Sequence, residues 1–318
     1  MSTIRILVAP IERIAIIGFG EAGGTFGQDF AKQGIDVSVF DILLVSRRHR
    51  RHMQSKADKC GVRAAANLYD CVRDSQLVIS AVTSASALDV AKDAGAILGA
   101  GQIFLDINSV SPETKRKAAR LIEPGPAKRT KAHFVEAAVM AAVPGLRLKV
   151  PMLLGGPKAA EAAKRLTSIG MNATALSNQI GLASAVKMCR SVMLKGLEAL
   201  AVECLFAARQ YGVEDAVLES LAATYPSLGW KDRLPDYLVS RVAEHGRRRA
   251  NEMREVARAL RSVGVKPTMA MATADRQERL VCEMADRNLG FGGSQSFSWR
   301  SLADAMASGG QQRSKRSL

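Results

Sequence analysis

The sequence has 318 residues, of which 47% are hydrophobic and only 5% aromatic, and its formal net charge is +15. This length is sufficient for two domains, each with its own core. No uninterrupted apolar run approaches the ~20 residues of a membrane span, and the N-terminal apolar segment is too short for a signal peptide. Five cysteines without a C-x-x-C pair argue against a disulfide framework or a zinc site. We therefore expect a soluble cytoplasmic protein with no membrane partner and no bound metal.

The excess of 45 Lys and Arg over 30 Asp and Glu raises the question of nucleic-acid binding. This charge is dispersed, with dense patches only at residues 47–52, 128–131 and 247–249. No aromatic interleaving, helix-turn-helix spacing or zinc finger accompanies the patches. A solvated surface, with some arginines drawn to an anionic cofactor and substrate, is the favoured interpretation. We predict no specific nucleic-acid partner, and leave open a nonspecific, salt-sensitive affinity.

A glycine motif follows the apolar run at residues 14–17. It reads Gly18-Phe19-Gly20-Glu21-Ala22-Gly23. A strand, a G-x-G-x-x-G turn and a helix in succession are the dinucleotide-binding fingerprint. Gly18 permits the tight turn, Gly20 lets the backbone approach a pyrophosphate, and Gly23 lets the helix pack on the sheet. The pyrophosphate would lie at the helix N-terminus, where unpaired N–H groups and the helix dipole favour an anion.

The next apolar run ends in an acidic residue, Asp41, which lies 18 residues after Gly23. At this distance a carboxylate can accept hydrogen bonds from the adenosine ribose, and it would repel a ribose 2′-phosphate. The sequence therefore predicts NAD as the cofactor. NADP is the alternative, because a long arginine from residues 47–52 could pair with that phosphate.

Apolar runs and helical segments continue to alternate after Asp41. The runs lie at residues 77–83, 103–109, 133–139 and 150–156. Runs without period-2 alternation are typical of parallel strands buried on both faces, so we predict a Rossmann-type, doubly wound parallel sheet over residues 1–178. Ligands bind such sheets at the carboxyl ends of the strands. Besides the glycine turn and Asp41, this rim would carry Val82, Thr83, Asn108 and Ser109.

From residue 180 onward the pattern becomes helical. Residues 180–210 contain no proline and predict one long helix of about 45 Å at ~1.5 Å per residue. Further helical patterns continue to residue 308, whereas the polar, basic segment 309–318 is predicted to be disordered. The expected architecture is therefore an α/β domain at 1–178 followed by an all-α domain at 179–308.

Two further motifs accompany the glycine turn. Residues 106–112 read DINSVSP, and residues 181–190 read GLASAVKMCR. With these motifs nearly the whole chain resembles the beta-hydroxyacid dehydrogenases, the family of 3-hydroxyisobutyrate dehydrogenase and 6-phosphogluconate dehydrogenase. That family has a substrate motif D-x-S-T-x-x-P and, on a long interdomain helix, G-x-G-x-x-x-K-x-x-N. The resemblance implies a helical second domain like that of 6-phosphogluconate dehydrogenase and a homodimer with intertwined second domains.

By this resemblance Lys187 is the catalytic residue, which takes the hydroxyl proton as hydride leaves the same carbon for the nicotinamide. The residues themselves agree, since Ser184, Lys187, Arg190 and Ser191 share one helix face. A lysine buried beside an arginine and an oxidised nicotinamide has its ammonium form disfavoured, as a general base requires. The alternative is a surface lysine whose alkyl chain packs along the helix.

The chain departs from the family motifs at several positions. Ala183 replaces the second glycine of the helix motif, and Arg190 replaces its asparagine. We interpret Arg190, with Ser191, as an anchor for a substrate anion, and an interdomain ion pair is the equally favoured alternative. Residues 136–142 read EAAVMAA where the family has D-A-P-V-S-G-G, so Met140 and two alanines predict an altered substrate pocket.

These features predict an NAD(P)-dependent oxidoreductase that transfers hydride between a nicotinamide and an anionic 3-hydroxy acid. A sugar acid and a phosphorylated acid are the candidate substrates, with or without decarboxylation. An imine or keto-acid reductase is the alternative enzyme. A dinucleotide-binding sensor or a nucleic-acid-associated protein without catalysis is the alternative from another class.

Overall fold

The computed structural model describes residues 10–123, 132–292 and 297–314. The basic patch at 128–131 therefore lies outside the described residues. The chain divides into two compact units, Met1–Met188 and Cys189–Leu318. The sequence predicts a boundary ten residues earlier, at 178/179. The unit boundary falls later because the first turns of the long helix pack into the first unit, where Ala183 and Met188 are buried.

The described residues of the first unit form an eight-stranded sheet with the order β3-β2-β1-β4-β5-β6-β7-β8. The strands are Arg13–Ile17 (β1), Asp36–Phe40 (β2), Arg63–Ala64 (β3), Leu77–Ser80 (β4), Ile103–Asp106 (β5), His133–Val139 (β6), Met152–Gly155 (β7) and Ala173–Ser177 (β8). The helices between them are Glu21–Lys32 (α1), Ile42–Val45 (α2), Arg50–Cys60 (α3), Leu68–Val72 (α4), Ala87–Ile97 (α5), Pro112–Ile122 (α6), Val143–Leu146 (α7) and Ala159–Ser168 (α8).

Side chains of the central strands alternate between two cores, one on each face of the sheet. On β1, Ile14 and Ile16 join a core that contains residues of α1, α3 and α8. Ala15 and Ile17 join the opposite core, which contains residues of α4, α5 and α6. Successive residues of a strand point to opposite faces, so a strand covered by helices on both sides is apolar throughout. The predicted Rossmann-type domain is confirmed.

The sheet is parallel from β1 to β6, but β7 pairs antiparallel with β6. Strand β8 is parallel to β7, so the last two strands run opposite to the rest. A parallel neighbour needs a crossover of a dozen or more residues, usually through a helix that covers the sheet. Between β6 and β7 the chain has only the one-turn helix α7 and the short 3₁₀ turn Arg147–Lys149, so it returns antiparallel.

The second unit is helical throughout its described elements. Its helices are Leu182–Tyr211 (α9), which begins in the first unit, Glu214–Thr224 (α10), Leu234–Ser262 (α11), Thr268–Asp286 (α12) and Trp299–Ser314 (α13). The long predicted helix at 180–210 is thus observed as α9. The core includes the buried residues Val202, Trp230, Val239, Leu280 and Trp299. None of the described helices combines the length and apolar character needed to cross a membrane.

The C-terminal segment departs from the prediction. Disorder is predicted for residues 309–318, but α13 continues to Ser314, and residues 315–318 lie outside the described part. The helix starts in an amphipathic segment that packs Trp299, Leu302 and Met306 into the core. Once a helix is nucleated, each added residue gains one hydrogen bond, so a polar sequence can extend it.

The close packing of α11 on α12 depends on Gly246. A β-carbon at Gly246 would overlap the Gln277 carbonyl group and the Val281 side chain. Gly196 in α9 is the matched control, because a β-carbon there would have its nearest neighbour, Thr273 Oγ1, 3.9 Å away. We expect Gly246→Ala to lower the free energy of unfolding by ~1–3 kcal/mol, as overpacking does. We expect Gly196→Ala to raise it by up to ~1 kcal/mol, since alanine favours a helix.

Urea unfolding followed by circular dichroism measures both changes. Equal effects of the two substitutions would contradict the close helix contact at Gly246.

Candidate functional site

The glycine turn between β1 and α1 is built as the motif requires. Gly18 has a φ of +93°, and a β-carbon on Gly18 would overlap the Ala81 carbonyl group at the end of β4. A β-carbon on Gly23 would overlap the Gly18 oxygen. At Gly20, by contrast, a β-carbon would meet nothing within 4 Å. The turn is therefore packed tightly against the sheet and open on the side where a pyrophosphate would approach, next to the N-terminus of α1.

The carboxylate of Asp41 fastens this turn to the end of β2. Its Oδ2 accepts a hydrogen bond from Phe19 N at 2.8 Å, and its Oδ1 accepts one from Leu43 N at 2.9 Å. Each carboxylate oxygen can accept a further bond, so the half-exposed Asp41 can still receive a ribose hydroxyl. The side chain of Phe19 is fully buried, and its backbone N–H already donates to Asp41.

A lysine that the motif does not include, Lys56 of α3, also contacts the turn. Its Nζ donates to Phe19 O at 2.6 Å and to Gly20 O at 2.9 Å, and it lies 4.6 Å from the centre of the Phe19 ring. The ammonium group thus lies beside the turn predicted to bind a pyrophosphate. Sequence reasoning missed Lys56 because it follows the turn by more than thirty residues, within a basic helix that has no distinguishing motif.

Asn108 ties the ends of β4 and β5 together. Its Oδ1 accepts from Val82 N at 2.7 Å, and its Nδ2 donates to Ser80 Oγ at 2.9 Å. The predicted rim residues Val82 and Asn108 are therefore neighbours, and the Asn108 amide already has protein partners. Thr83 Oγ1 lies 3.1 Å from Ser86 Oγ in the adjoining turn. These residues lie just after the ends of β4 and β5, and their contact with a cofactor or substrate stays a prediction.

Ser109 differs from its neighbour. Its buried Oγ has no hydrogen-bond partner among the described residues. A buried hydroxyl without a partner carries a free-energy cost, which a bound molecule could offset. Asn108 and Ser109 are both predicted to contact the substrate, and of the two Ser109 has a side chain whose hydrogen-bonding capacity is unused.

A buried ion pair holds the loop that carries Asn108 and Ser109. Lys115 Nζ lies 3.1 Å from Asp106 Oδ1 and donates to Asp106 O at 2.7 Å, and both side chains are 1% exposed. Asp106 Oδ1 also accepts from Asn108 N at 2.9 Å. This pair was not predicted. A lysine inside an amphipathic helix resembles a solvated one in sequence, and only the fold brings it to Asp106.

The start of α9 is held by Glu136 of β6, a side chain with 0% exposure. Glu136 Oε1 accepts from Gly181 N at 2.6 Å and from Ala183 N at 3.1 Å. Its Oε2 accepts from Ser184 Oγ at 2.9 Å. The carboxylate therefore binds N–H groups that the first turn of a helix leaves unpaired. Lys187 lies in the next turn and is half-buried.

The remaining predicted site residues lie just after β6 and on α9. Met140 follows β6, is half-buried, and pairs through its backbone N with Pro151 O at 2.9 Å. Arg190 is exposed, whereas Ser191 is buried and lies 3.3 Å from Lys195 Nζ. Arg190 and Ser191 belong to the second unit, and Lys187 belongs to the first. All three lie on α9 within about one turn, as the spacing predicts.

Two arginines of the basic run at 247–249 form ion pairs in the second unit, and one of these pairs is buried. Arg249 pairs with the buried Glu198 of α9, and Arg248 pairs with Glu252 at 2.8 Å. Glu252 also pairs with Lys195 at 2.7 Å. Burial lowers the pKa of Lys195 and raises the pKa of Glu198, because it disfavours either charged form. A solvated surface, the favoured interpretation of the basic patches, is therefore wrong for Arg249, which is mostly buried.

Comparison with known proteins supports an NAD-binding domain. Residues 13–177 match the model of the NAD binding domain of 6-phosphogluconate dehydrogenase. Residues 208–280 match a domain of unknown function, DUF1932. An uncharacterized 28.5 kDa protein in the 7S RNA 5′ region of Methanothermus fervidus is 34% identical over 264 residues, which cover 82% of this chain and 96% of the relative.

Solved structures agree with the described fold. A conserved hypothetical protein from Sinorhizobium meliloti 1021 is 34% identical, with a TM-score of 0.72 over 93% of this chain and 96% of that one. The 3-hydroxyisobutyrate dehydrogenase of Mycobacterium tuberculosis, solved with L-serine, has a TM-score of 0.71 at 15% identity and covers 93% of this chain and 99% of its own. The second likeness is one of fold. The chain belongs to the family of the 6-phosphogluconate dehydrogenase NAD-binding domain, and the predicted resemblance to the beta-hydroxyacid dehydrogenases is confirmed.

Proposed function

We propose that the protein transfers hydride between a nicotinamide dinucleotide and an anionic 3-hydroxy acid. The observation that carries this proposal is the combination, within one compact unit, of an open dinucleotide turn at Gly20 and Lys187 on a helix whose first turn is fixed by Glu136. A sugar acid or a phosphorylated acid is the proposed substrate class, with or without loss of carbon dioxide after the oxidation.

The cofactor would be held by backbone groups at Gly20 and by Asp41, with the charge of Lys56 nearby favouring the pyrophosphate. When bound, the nicotinamide supplies the hydride acceptor. Lys187 would take the proton from the substrate hydroxyl during oxidation and return it during reduction. The unused Ser109 hydroxyl would donate a hydrogen bond to the substrate, and Arg190 would pair with its carboxylate or phosphate.

The proposed role of Lys187 is tested with three candidate substrates, 3-hydroxyisobutyrate, L-serine and 6-phosphogluconate. Each is assayed with NAD and with NADP, and the absorbance of the reduced cofactor measures turnover. On the substrate that reacts, Lys187→Ala should lower the turnover rate by ~10²- to 10⁴-fold, because it removes the general base. Dinucleotide affinity should change little. Wild-type turnover in this variant would overturn the assignment, and tight cofactor binding with no turnover on any acid would favour a sensor.

The variant Arg190→Ala, assayed with the same substrate, separates an effect on substrate binding from an effect on the chemical step. Losing a charge-assisted contact to the substrate anion should weaken substrate binding by ~1.5–3 kcal/mol and appear chiefly in KM. Arg247→Ala removes another exposed arginine of the same unit and is the matched control. An unchanged KM in Arg190→Ala would favour the ion-pair interpretation of Arg190.

For the cofactor we propose NAD rather than NADP. Asp41 lies at the end of β2 with both oxygens facing backbone N–H donors, and a ribose 2′-phosphate beside it would meet a like charge. Titration by quenching of protein fluorescence should give tighter binding of NADH than of NADPH, and Asp41→Asn should narrow the difference. Binding of NADPH at least about tenfold tighter than NADH would overturn this preference, as expected if arginines at 47–52 pair with the phosphate.

A homodimer is proposed for the assembly. Helix α9 exposes apolar side chains at helical spacing, with Met193 75% exposed and Leu200 52% exposed, and an apolar helix face is a usual site of pairing between copies. Light scattering at micromolar concentration should give the mass of two chains. The double variant Met193→Asp with Leu200→Asp should have the mass of a single chain. The control Val263→Asp, at an exposed position after α11, should keep the mass of two chains. A wild-type monomer would remove this proposal.

The cytosol is the proposed location. All five cysteines are free thiols, and Cys71 is buried with a pKa raised to about 11 by desolvation. Unpaired thiols are the usual state in a reducing compartment, which supports this location.

A further inference from the structure

We propose that Glu136 is a positioning residue for catalysis, whose buried carboxylate fixes the first turn of α9 and so sets the place of Lys187. This inference rests on the proposed function. Glu136 stands at the acidic first position of the segment 136–142, and the new element is its contact with a helix start 45 positions further along the chain.

Three donors converge on this carboxylate. The N–H groups of Gly181 and Ala183 donate to Oε1, and the Ser184 hydroxyl donates to Oε2. A buried charge is costly unless hydrogen bonds compensate it, and bonds to a charged acceptor are about twice as strong as neutral ones. The positive end of the helix dipole adds to the attraction. The three hydrogen bonds to Glu136 therefore favour a single backbone conformation of the helix start.

The surrounding backbone is shaped for this contact. A β-carbon at Gly155 on the paired strand β7 would overlap Glu136 Oε1. Gly181 has a φ of +106°, and a β-carbon there would lie 2.5 Å from Arg116 Nη1 on α6. Both positions thus admit only glycine without a shift of the neighbouring atoms. Strand β6 is held in the sheet by β5 and β7, so its side chain provides a rigid reference for the helix.

Lys187 follows Leu182, the first residue of α9, by five residues, or ~7.5 Å along the helix. A helix start that shifts or frays would carry Lys187 with it. Misplacement of a catalytic group by about 1 Å can cost on the order of 10²-fold in rate. An ordinary cap from a neighbouring serine or aspartate would hold the helix end but would not tie it to the sheet that carries the rim.

The test compares Glu136→Gln with Glu123→Gln in the full chain. Glutamine keeps the size of glutamate, so neither substitution leaves a cavity, but it removes the charge and replaces one acceptor oxygen by an NH₂ donor. Glu123 is the matched control, because it also accepts a backbone N–H, that of Phe134 on the same strand β6. Its carboxylate binds no N–H group of α9 among the described residues.

Glu136→Gln should lower kcat by on the order of 10- to 10²-fold, because the helix start is held less firmly. The dissociation constant of the dinucleotide should stay within about threefold, since the proposed cofactor contacts at the glycine turn and Asp41 do not involve Glu136. Glu123→Gln should leave both quantities unchanged.

Hydrogen exchange of the segment 181–187 gives a second measurement that does not need turnover. Glu136→Gln should speed exchange at this segment about tenfold or more relative to Glu123→Gln, since bonds to a charged acceptor are stronger than those to a neutral one. If glutamine prevents folding, Ser184→Ala removes one of the three donors and should give a smaller change in the same direction.

The two measurements separate the two proposals. A wild-type chain without turnover on any acid would defeat the proposed function, and the exchange rates would still decide whether Glu136 fixes the helix start. Wild-type kcat in Glu136→Gln, or exchange equal to that of the control, would overturn the role of Glu136.

Discussion

The close packing of the glycine turn on the sheet is the constraint on which the site depends. Gly18 and Gly23 lie where any β-carbon would overlap a backbone carbonyl group, so the N-terminus of α1 sits directly above the end of β1. This packing leaves the open side of the turn at Gly20, next to the N-terminus of α1, where a pyrophosphate would bind. Asp41 and Lys56 then hold the turn from β2 and α3, so that its open side is set before any cofactor binds.

The rim and the helix start extend the same arrangement across the sheet. Asn108 links the ends of β4 and β5, and the buried pair of Lys115 with Asp106 holds the loop that carries Ser109. Further along, Glu136 of β6 fixes the start of α9. The cofactor turn, Ser109 and the start of the helix that carries Lys187 are therefore all held by contacts with strands of one sheet or with their ends.

The sequence predicts the parts of this site that depend on local spacing. The glycine turn, Asp41, the rim residues and the long helix follow from short motifs and from apolar periodicity. The contacts of Lys56 and Glu136 cannot be predicted in this way, because their partners lie far along the chain. The buried Lys115 cannot be predicted either, because nothing distinguishes it from the other charged residues of its helix. The reversed direction of β7 could not be predicted either, since an apolar run carries no information on strand direction.

Transfer of deuterium from substrate to cofactor tests the central claim most directly. A 3-hydroxy acid that carries deuterium on its hydroxyl-bearing carbon is incubated with the chain and NAD, and the reduced cofactor is analysed by mass spectrometry. The account predicts reduced cofactor that carries the deuterium, formed by the wild-type chain and strongly diminished in Lys187→Ala. Reduced cofactor without deuterium, or none from any acid despite tight dinucleotide binding, would contradict it.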